Sequence, residues 1–293
     1  MKSNLFLSLL ACTILLGCSS NKTAGEDSSE SETNASYVPK LSIAWETDTT
    51  LITPESVIYD AANDVYYATC MGPNPTGKFD GDGYIAKIGS DGKIIDNHWV
   101  KNLDDPKGLA LIGNTLYAAD LNKLVSINVK TGETTIEIID GAQYLNDAAS
   151  SPEGDIILTD SDLNTVFVIS GGITKAFFAD TTLGRLNGVF HEAGRKLLVG
   201  FNSGKLFSLT NGKLSQLAEG MKTGDGIEAI ADGYFVSCWD GHIYYLDAKM
   251  NKTLINDTST DKIGAADIDY IANKKLLVVP TFFGNKVVAY NVK

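Results

Sequence analysis

The chain has 293 residues, a formal net charge of −12, 44% hydrophobic residues and 9% aromatics. That length and apolar share are enough for one large buried core. The acidic balance is wrong for the basic footprint a nucleic-acid binder needs and for electrostatic docking on anionic lipid.

In chain order, Lys2 gives a weakly positive start, followed by the short apolar run Leu5 to Leu16. The run is too short to span a bilayer and reads as a secretory signal over residues 1–17. Leu15-Leu16-Gly17-Cys18 resembles a bacterial lipobox, in which Cys18 would be acylated and become the mature N-terminus. An ordinary signal peptide with an incidental cysteine is the other reading. Residues 18–39 then form a lipidated cysteine and a disordered tether, because Ser19 to Pro39 is rich in Ser, Thr and Glu and cannot bury enough surface to fold. Without residues 1–17 the chain loses one lysine and carries −13. The expected location is the cell envelope, at the outer membrane or facing the periplasm. The lipid would be the only membrane contact.

Residues 40–293 read as one all-β domain. Short apolar or alternating runs, bounded by Gly, Asn and Asp, recur four to a repeat. Blade one is read as Ser56–Asp60, Val65–Met71, Tyr84–Ile88 and Ile94–Val100. Blades two to five begin at Gly108, Ala148, Gly188 and Ile227. The residues just before these strands, Glu55, Lys107, Asn146, Asn187, Asp225 and Ala266, are 52, 39, 41, 38 and 41 apart. A period near 40 with four strands per period predicts a six-bladed β-propeller. The last repeat has only Asp267–Ile271, Lys275–Pro280 and Lys286–Asn291. Its missing outer strand is supplied by Leu41–Thr47, which closes the ring and removes open edges. A monomer is expected.

Cys70 and Cys238 fall on second strands of blades that are not neighbours, so they read as buried thiols and not as a disulfide. One insertion, Cys70 to Gly83, lengthens the second-to-third-strand loop of blade one, where it can form a rim or lid. Asp80 and Asp82 within it read as turn residues. His98, His191 and His242 lie far apart in register and read as structural or surface groups.

Equivalent positions in a propeller converge on its axis. Glu55, Asn146, Asn187 and Asp225 would therefore bring two carboxylates and two amide oxygens together, a hard-oxygen set suited to a divalent cation, calcium above others. Each could instead be a turn residue. Lys107 shares the register and would face the channel as a cation, or else lie at the surface. Asp120, Asp160, Asn202, Trp239 and Phe282 end second strands on the same face and would line the mouth or begin loops.

Pro54-Glu55-Ser56-Val57-Ile58-Tyr59-Asp60, Leu145-Asn146-Asp147, Leu186-Asn187-Gly188 and Gly224-Asp225-Gly226-Ile227 resemble blade starts of the senescence-marker-protein/gluconolactonase (regucalcin-like) family, and more distantly the paraoxonases. The resemblance implies a central metal held by Glu55, Asn187 and Asp225, with Asn146 contacting metal, water or substrate. It implies a lactone or ester as small-molecule substrate. Two departures stand out. Tyr144 occupies the substrate-binding position where sugar-lactone enzymes carry arginine, and the histidine dyad of paraoxonases is missing. Two functions follow: a metal-dependent hydrolase in which Asp225 or Glu55 is the catalytic proton acceptor, or a non-catalytic envelope propeller that binds a partner or glycan, with a structural metal or none. No nucleophile elbow or phosphate loop is present.

Overall fold

The computed structural model describes residues 37–75, 77–192 and 194–293. Cys18, the anticipated signal segment and most of the tether lie outside the described residues. Val38–Lys293 forms one compact unit. It contains six four-stranded antiparallel sheets, each running outward in chain order from an inner strand. The inner strands are Pro54–Asp60, Pro106–Ile112, Leu145–Ser150, Leu186–Glu192, Gly224–Ile230 and Asp269–Ile271. In the sixth sheet the outer strand is Leu41–Glu46, paired with Val287–Val292 from Leu41 opposite Val292 to Glu46 opposite Val288. The ring is therefore closed by its own two ends, as expected.

The core consists of apolar wedges between neighbouring blades. Tyr66 and Ala68 of blade one pack on Val278 and Ala289 of blade six. On the opposite face of the same strand, Val65, Tyr67 and the adjacent Ile85 pack on Leu109 and Leu116 of blade two. This is why Val65–Cys70 is buried at every position: alternate side chains fill two different wedges. The outer strand Thr134–Ile138 is exposed throughout, since only solvent lies beyond it. Among the described residues no helix is long and apolar enough to cross a membrane.

Two backbone devices at the start of the inner strands aim side chains at the axis. The first is a bulge. In blade one the pairing passes from Pro54 opposite Cys70 to Val57 opposite Ala68, so Glu55 and Ser56 face one residue, Thr69. Blades two to five repeat the shift at Lys107-Gly108, Asn146-Asp147, Asn187-Gly188 and Asp225-Gly226. A bulge turns a side chain out of the pleat, here into the central channel. It also leaves an N–H without a ladder partner. A hydroxyl from the facing strand accepts that N–H in alternate blades: Thr69 from Ser56 at 2.9 Å, Thr159 from Asp147 at 2.9 Å and Ser237 from Gly226 at 2.8 Å. Thr159 and Ser237 then donate to the carbonyl oxygens of Asn187 and Ala266 in the next blade, at 2.6 and 2.7 Å. The same hydroxyls thus join neighbouring blades at the axis.

The second device is a left-handed residue two positions earlier. Thr53, Arg185 and Thr223 have φ of 54°, 60° and 60°, and Gly264 has 86°. Such angles cost a side-chain-bearing residue energy and are kept where the surroundings demand them. The carbonyls of Thr53, Arg185 and Thr223 accept from the N–H of Met71, Phe201 and Trp239, which fixes each turn against the end of its second strand.

Candidate functional site

The register residues of blades one to five meet at one end of the channel. Glu55, Lys107, Asn146, Asn187 and Asp225 all line a cavity of about 250 Å³. All five are buried. The surface-lysine reading of Lys107 is thereby corrected: the bulge in blade two carries it inward with its neighbours. Ala266, the sixth register residue, packs with Met71 and Phe282 instead. Asn202, Trp239 and Phe282 line the same cavity, together with Met71 and Pro75 from the blade-one insertion. That insertion lies across the mouth. Gly77 donates its N–H to the Asp105 carboxylate, and Gly81 donates to Asp104 at 3.0 Å.

Asp120 and Asp160 take the second of their two readings and begin loops. Both are fully buried and cap loops. Asp120 accepts the N–H groups of Asp104 and Asp105 at 3.0 and 2.9 Å. Asp160 accepts those of Gln143 and Tyr144 at 2.7 and 3.0 Å. They fix the turns that lead into Lys107 and Asn146.

The oxygens of the cavity floor are short of donors. Asn146 donates its amide N–H to Ser161 Oγ at 2.9 Å. Asn187 donates to the Asp225 carboxylate. Glu55 Oε2 and Asn187 Oδ1 are buried with no hydrogen-bond partner. A buried acceptor left bare costs about 1–3 kcal/mol, and the two share this cavity with the Asp225 carboxylate. Burial pushes Glu55 up to about 8, against the opposing pull of Lys107, while the Asp267 and Asp105 charges push it further up. Burial also holds Asp225 well above the usual carboxylate range, with Glu55, Asp267 and Asp147 adding to it. Among the described residues, no three His, Cys, Asp or Glu side chains are grouped to hold a metal ion. A cation site here would need the amide oxygens as well as the two carboxylates.

The far end of the channel holds a second cavity, of about 160 Å³, lined by Asp147, His191, Glu228, Asp267 and Asp269 among aliphatic side chains. Burial is the main cause that raises all four carboxyls, Asp267 to about 7 and Asp269 to about 6. All four are occupied structurally, Glu228 by the Tyr270 backbone N–H, which ties blade five to blade six. Asp147 accepts from the Ala148 and Val189 N–H groups, both at 2.6 Å, and so ties blade three to blade four. Asp267 accepts from Ser56 Oγ at 2.6 Å and Asp269 from the Tyr59 N–H at 2.7 Å, which ties blade six to blade one. Close approach at this waist explains the neighbouring glycines: a Cβ on Gly188 would stand 1.8 Å from the Asp225 carbonyl oxygen.

Sequence reasoning missed Arg185. It lies two residues before Asn187, in the left-handed turn, and lines the mouth cavity. Its guanidinium carbon is 5.5 Å from the centroid of the Tyr144 ring, and Lys107 Nζ is 4.3 Å from the same centroid. The Tyr144 ring thus meets two cations, Lys107 from blade two and Arg185 from the start of blade four. Arginine at the first turn of a blade, followed by the Asn-Gly pair, was the available signal. His98 stacks on Tyr84 and His242 sits 2.8 Å from Asp240. Both are structural in place, and only His191 reaches a cavity. Cys70 and Cys238 are free and buried, as expected.

No protein-family model matches the chain, and the search of curated proteins finds no match. Solved structures do resemble it. A streptogramin B lyase superposes with a TM-score of 0.63 at 12% identity, covering 87% of this chain and 98% of that one. A catalytically inactive virginiamycin B lyase from Staphylococcus aureus, solved with quinupristin, gives 0.62 at 12% identity over 87% and 99%. A chain of a nidogen/laminin complex gives 0.62 at 15% identity over 74% and 84%. At these identities the likeness concerns the fold, and the fold is a six-bladed β-propeller.

Proposed function

We propose that the chain is a divalent-cation-dependent hydrolase of the lactonase or esterase class, related to the senescence-marker-protein/gluconolactonase family, with calcium as its cation. The observation that carries this reading is the pair of bare buried acceptors, Glu55 Oε2 and Asn187 Oδ1, in one cavity with Asp225. The donor set fits: Glu55, Asn187, Asp225 and Asn146 offer only hard oxygens, two of them from carboxylates that balance a divalent charge. Calcium bound there would act as a Lewis acid toward a carbonyl oxygen and make a bound water more acidic.

The protein's own groups have the remaining tasks. Asp225 or Glu55 receives the proton of the attacking water. Lys107 and Arg185 orient the substrate from one wall. Met71 and Pro75 narrow the mouth and limit water. In this reading the ring works as a monomer, displayed at the cell envelope by acylation of Cys18. Hydrolysis of a small panel of lactones and aryl esters should be lost in EDTA and restored by calcium. Activity indifferent to the chelator would sink the proposal. A second reading, a rim that binds an envelope partner or glycan, draws on Phe79 and Phe283, both exposed on loops of the mouth face. Calcium binding without turnover of any ester or lactone would favour it.

A further inference from the structure

The cavity carries positive charge that the proposed cation site does not use. Lys107 is only 3% exposed. Its Nζ donates to the Asp105 carbonyl oxygen at 3.0 Å and lies against the Tyr144 ring. Its charge acts on Glu55 and Asp105, yet among the described residues it forms no ion pair. An ammonium taken out of water costs several kcal/mol unless a carboxylate and further acceptors compensate. Lys107 has three donors and the protein uses one. The space its head group borders is the mouth cavity itself.

Arg185 adds a second cation to the same wall. Its one ion pair, with Asp162, is loose at 3.9 Å and half exposed. The left-handed backbone at this residue is pinned by the Phe201 N–H on its carbonyl at 2.9 Å. Thr53 and Thr223 share this backbone turn, so the conformation places Arg185 at the mouth as part of the repeat. One wall of the mouth is aromatic: Trp239 packs edge-on to Phe201 and Phe282, with centroids at 6.0 and 5.1 Å, beside Met71.

We infer that this cavity selects an acidic ligand, a small lactone or ester bearing a carboxylate for Lys107 and Arg185 and an apolar, aryl or alkyl, group for the Trp239 wall. The cavity is smaller than the roughly 300–1,000 Å³ pockets that take drug-sized ligands, so the ligand is small. The inference rests on the hydrolase reading only for the reacting carbonyl. The anion subsite is built from side chains outside the four oxygens proposed for the cation.

The test uses residues 38–293, the compact ring, in EDTA, so that no carboxylate can bind through a metal. Phenylacetate and phenylacetamide have nearly the same shape and differ in charge. Calorimetric titration should show the acid binding at least about tenfold tighter than the amide, the effect of one desolvated charge-assisted contact. Lys107→Met should abolish that preference and Arg185→Gln should reduce it. If Lys107→Met does not fold, the acid-to-amide ratio in the unaltered ring and in Arg185→Gln decides. An amide bound as tightly as the acid, or no binding of either, overturns the inference. Acid preference in a ring that ignores calcium would uphold the anion subsite and sink the hydrolase reading. Calcium binding with no acid preference would do the reverse.

Discussion

Raising the pH should destabilise the cation-free ring, and calcium should cancel the effect. Glu55 sits at about 8 in the folded protein, mainly through burial, against an ordinary glutamate value near 4.3. Between those values the folded chain holds a proton that the unfolded chain releases. Stability is therefore present below the ordinary value and lost as pH rises toward the folded value. One retained proton is worth about 1.4 kcal/mol per pH unit. From about pH 6 to about pH 8, Glu55 alone removes roughly 2 kcal/mol, since it is half ionised by the upper end. Asp267, raised to about 7, acts in the same direction over the first half of that interval. For a domain of this size the loss is roughly 5 to 10 °C in Tm. Calcium held by Glu55 and Asp225 favours the ionised carboxylates, so its affinity should rise with pH and its binding should release protons to the buffer. Thermal melts of residues 38–293 at about pH 6, 7 and 8, in EDTA and in excess calcium, read both effects. A cation-free Tm that is flat or rises across this interval would refute the reasoning, because it would mean that Glu55 is ionised without a counter-ion.

Two substitutions and a deletion test the scaffold around the site. Gly188→Ala places a methyl 1.8 Å from the Asp225 carbonyl oxygen. It should cost about 3 kcal/mol, the upper end for overpacking, and blunt the calcium response as Asp225 is displaced, both seen in melts. Asp147→Asn keeps one of the two backbone N–H acceptances at Ala148 and Val189 and sets an amide against the other. Chemical denaturation should show a loss of about 1–3 kcal/mol. Deleting residues 40–47 strips the outer strand from Val287–Val292 and opens the ring. Gel filtration should show aggregation from the exposed edge in place of a single compact species.

The repeat was legible because each blade returns the same four-strand pattern with Gly, Asn or Asp at its turns. Asn211-Gly212, for example, has φ of 50° and 73° at its two residues. Strand ends read from the sequence were generally within about two residues; the inner strands of blades one to five began two or three residues earlier than read, since bulged residues break the alternation that marks a strand, and that of blade six began two later, at Asp269. The convergence of Glu55, Asn146, Asn187 and Asp225 followed from register alone. The bulge that aims them did not, nor did the bridging hydroxyls of Thr69, Thr159 and Ser237, which look like ordinary strand residues until the facing chain is placed. Thr53, Arg185 and Thr223 adopt left-handed turns without being glycine, so no turn signal marked them, and only an arginine ahead of the Asn-Gly pair pointed to the guanidinium beside Tyr144. Lys107 was ambiguous because burial of a lone lysine depends on which way one bulge faces. The far-end carboxylates Glu228 and Asp269 carried no signal of their own in the sequence, and only ring closure brings them into one cavity.

The most direct test of the cation site is a calorimetric calcium titration of residues 38–293 stripped with EDTA, beside Asp225→Asn. The proposal predicts one calcium per ring, a stabilisation of about 2.7 kcal/mol at a hundred times the Kd, and loss of both in the variant. No calcium heat in the unaltered ring, or equal binding by Asp225→Asn, would contradict it.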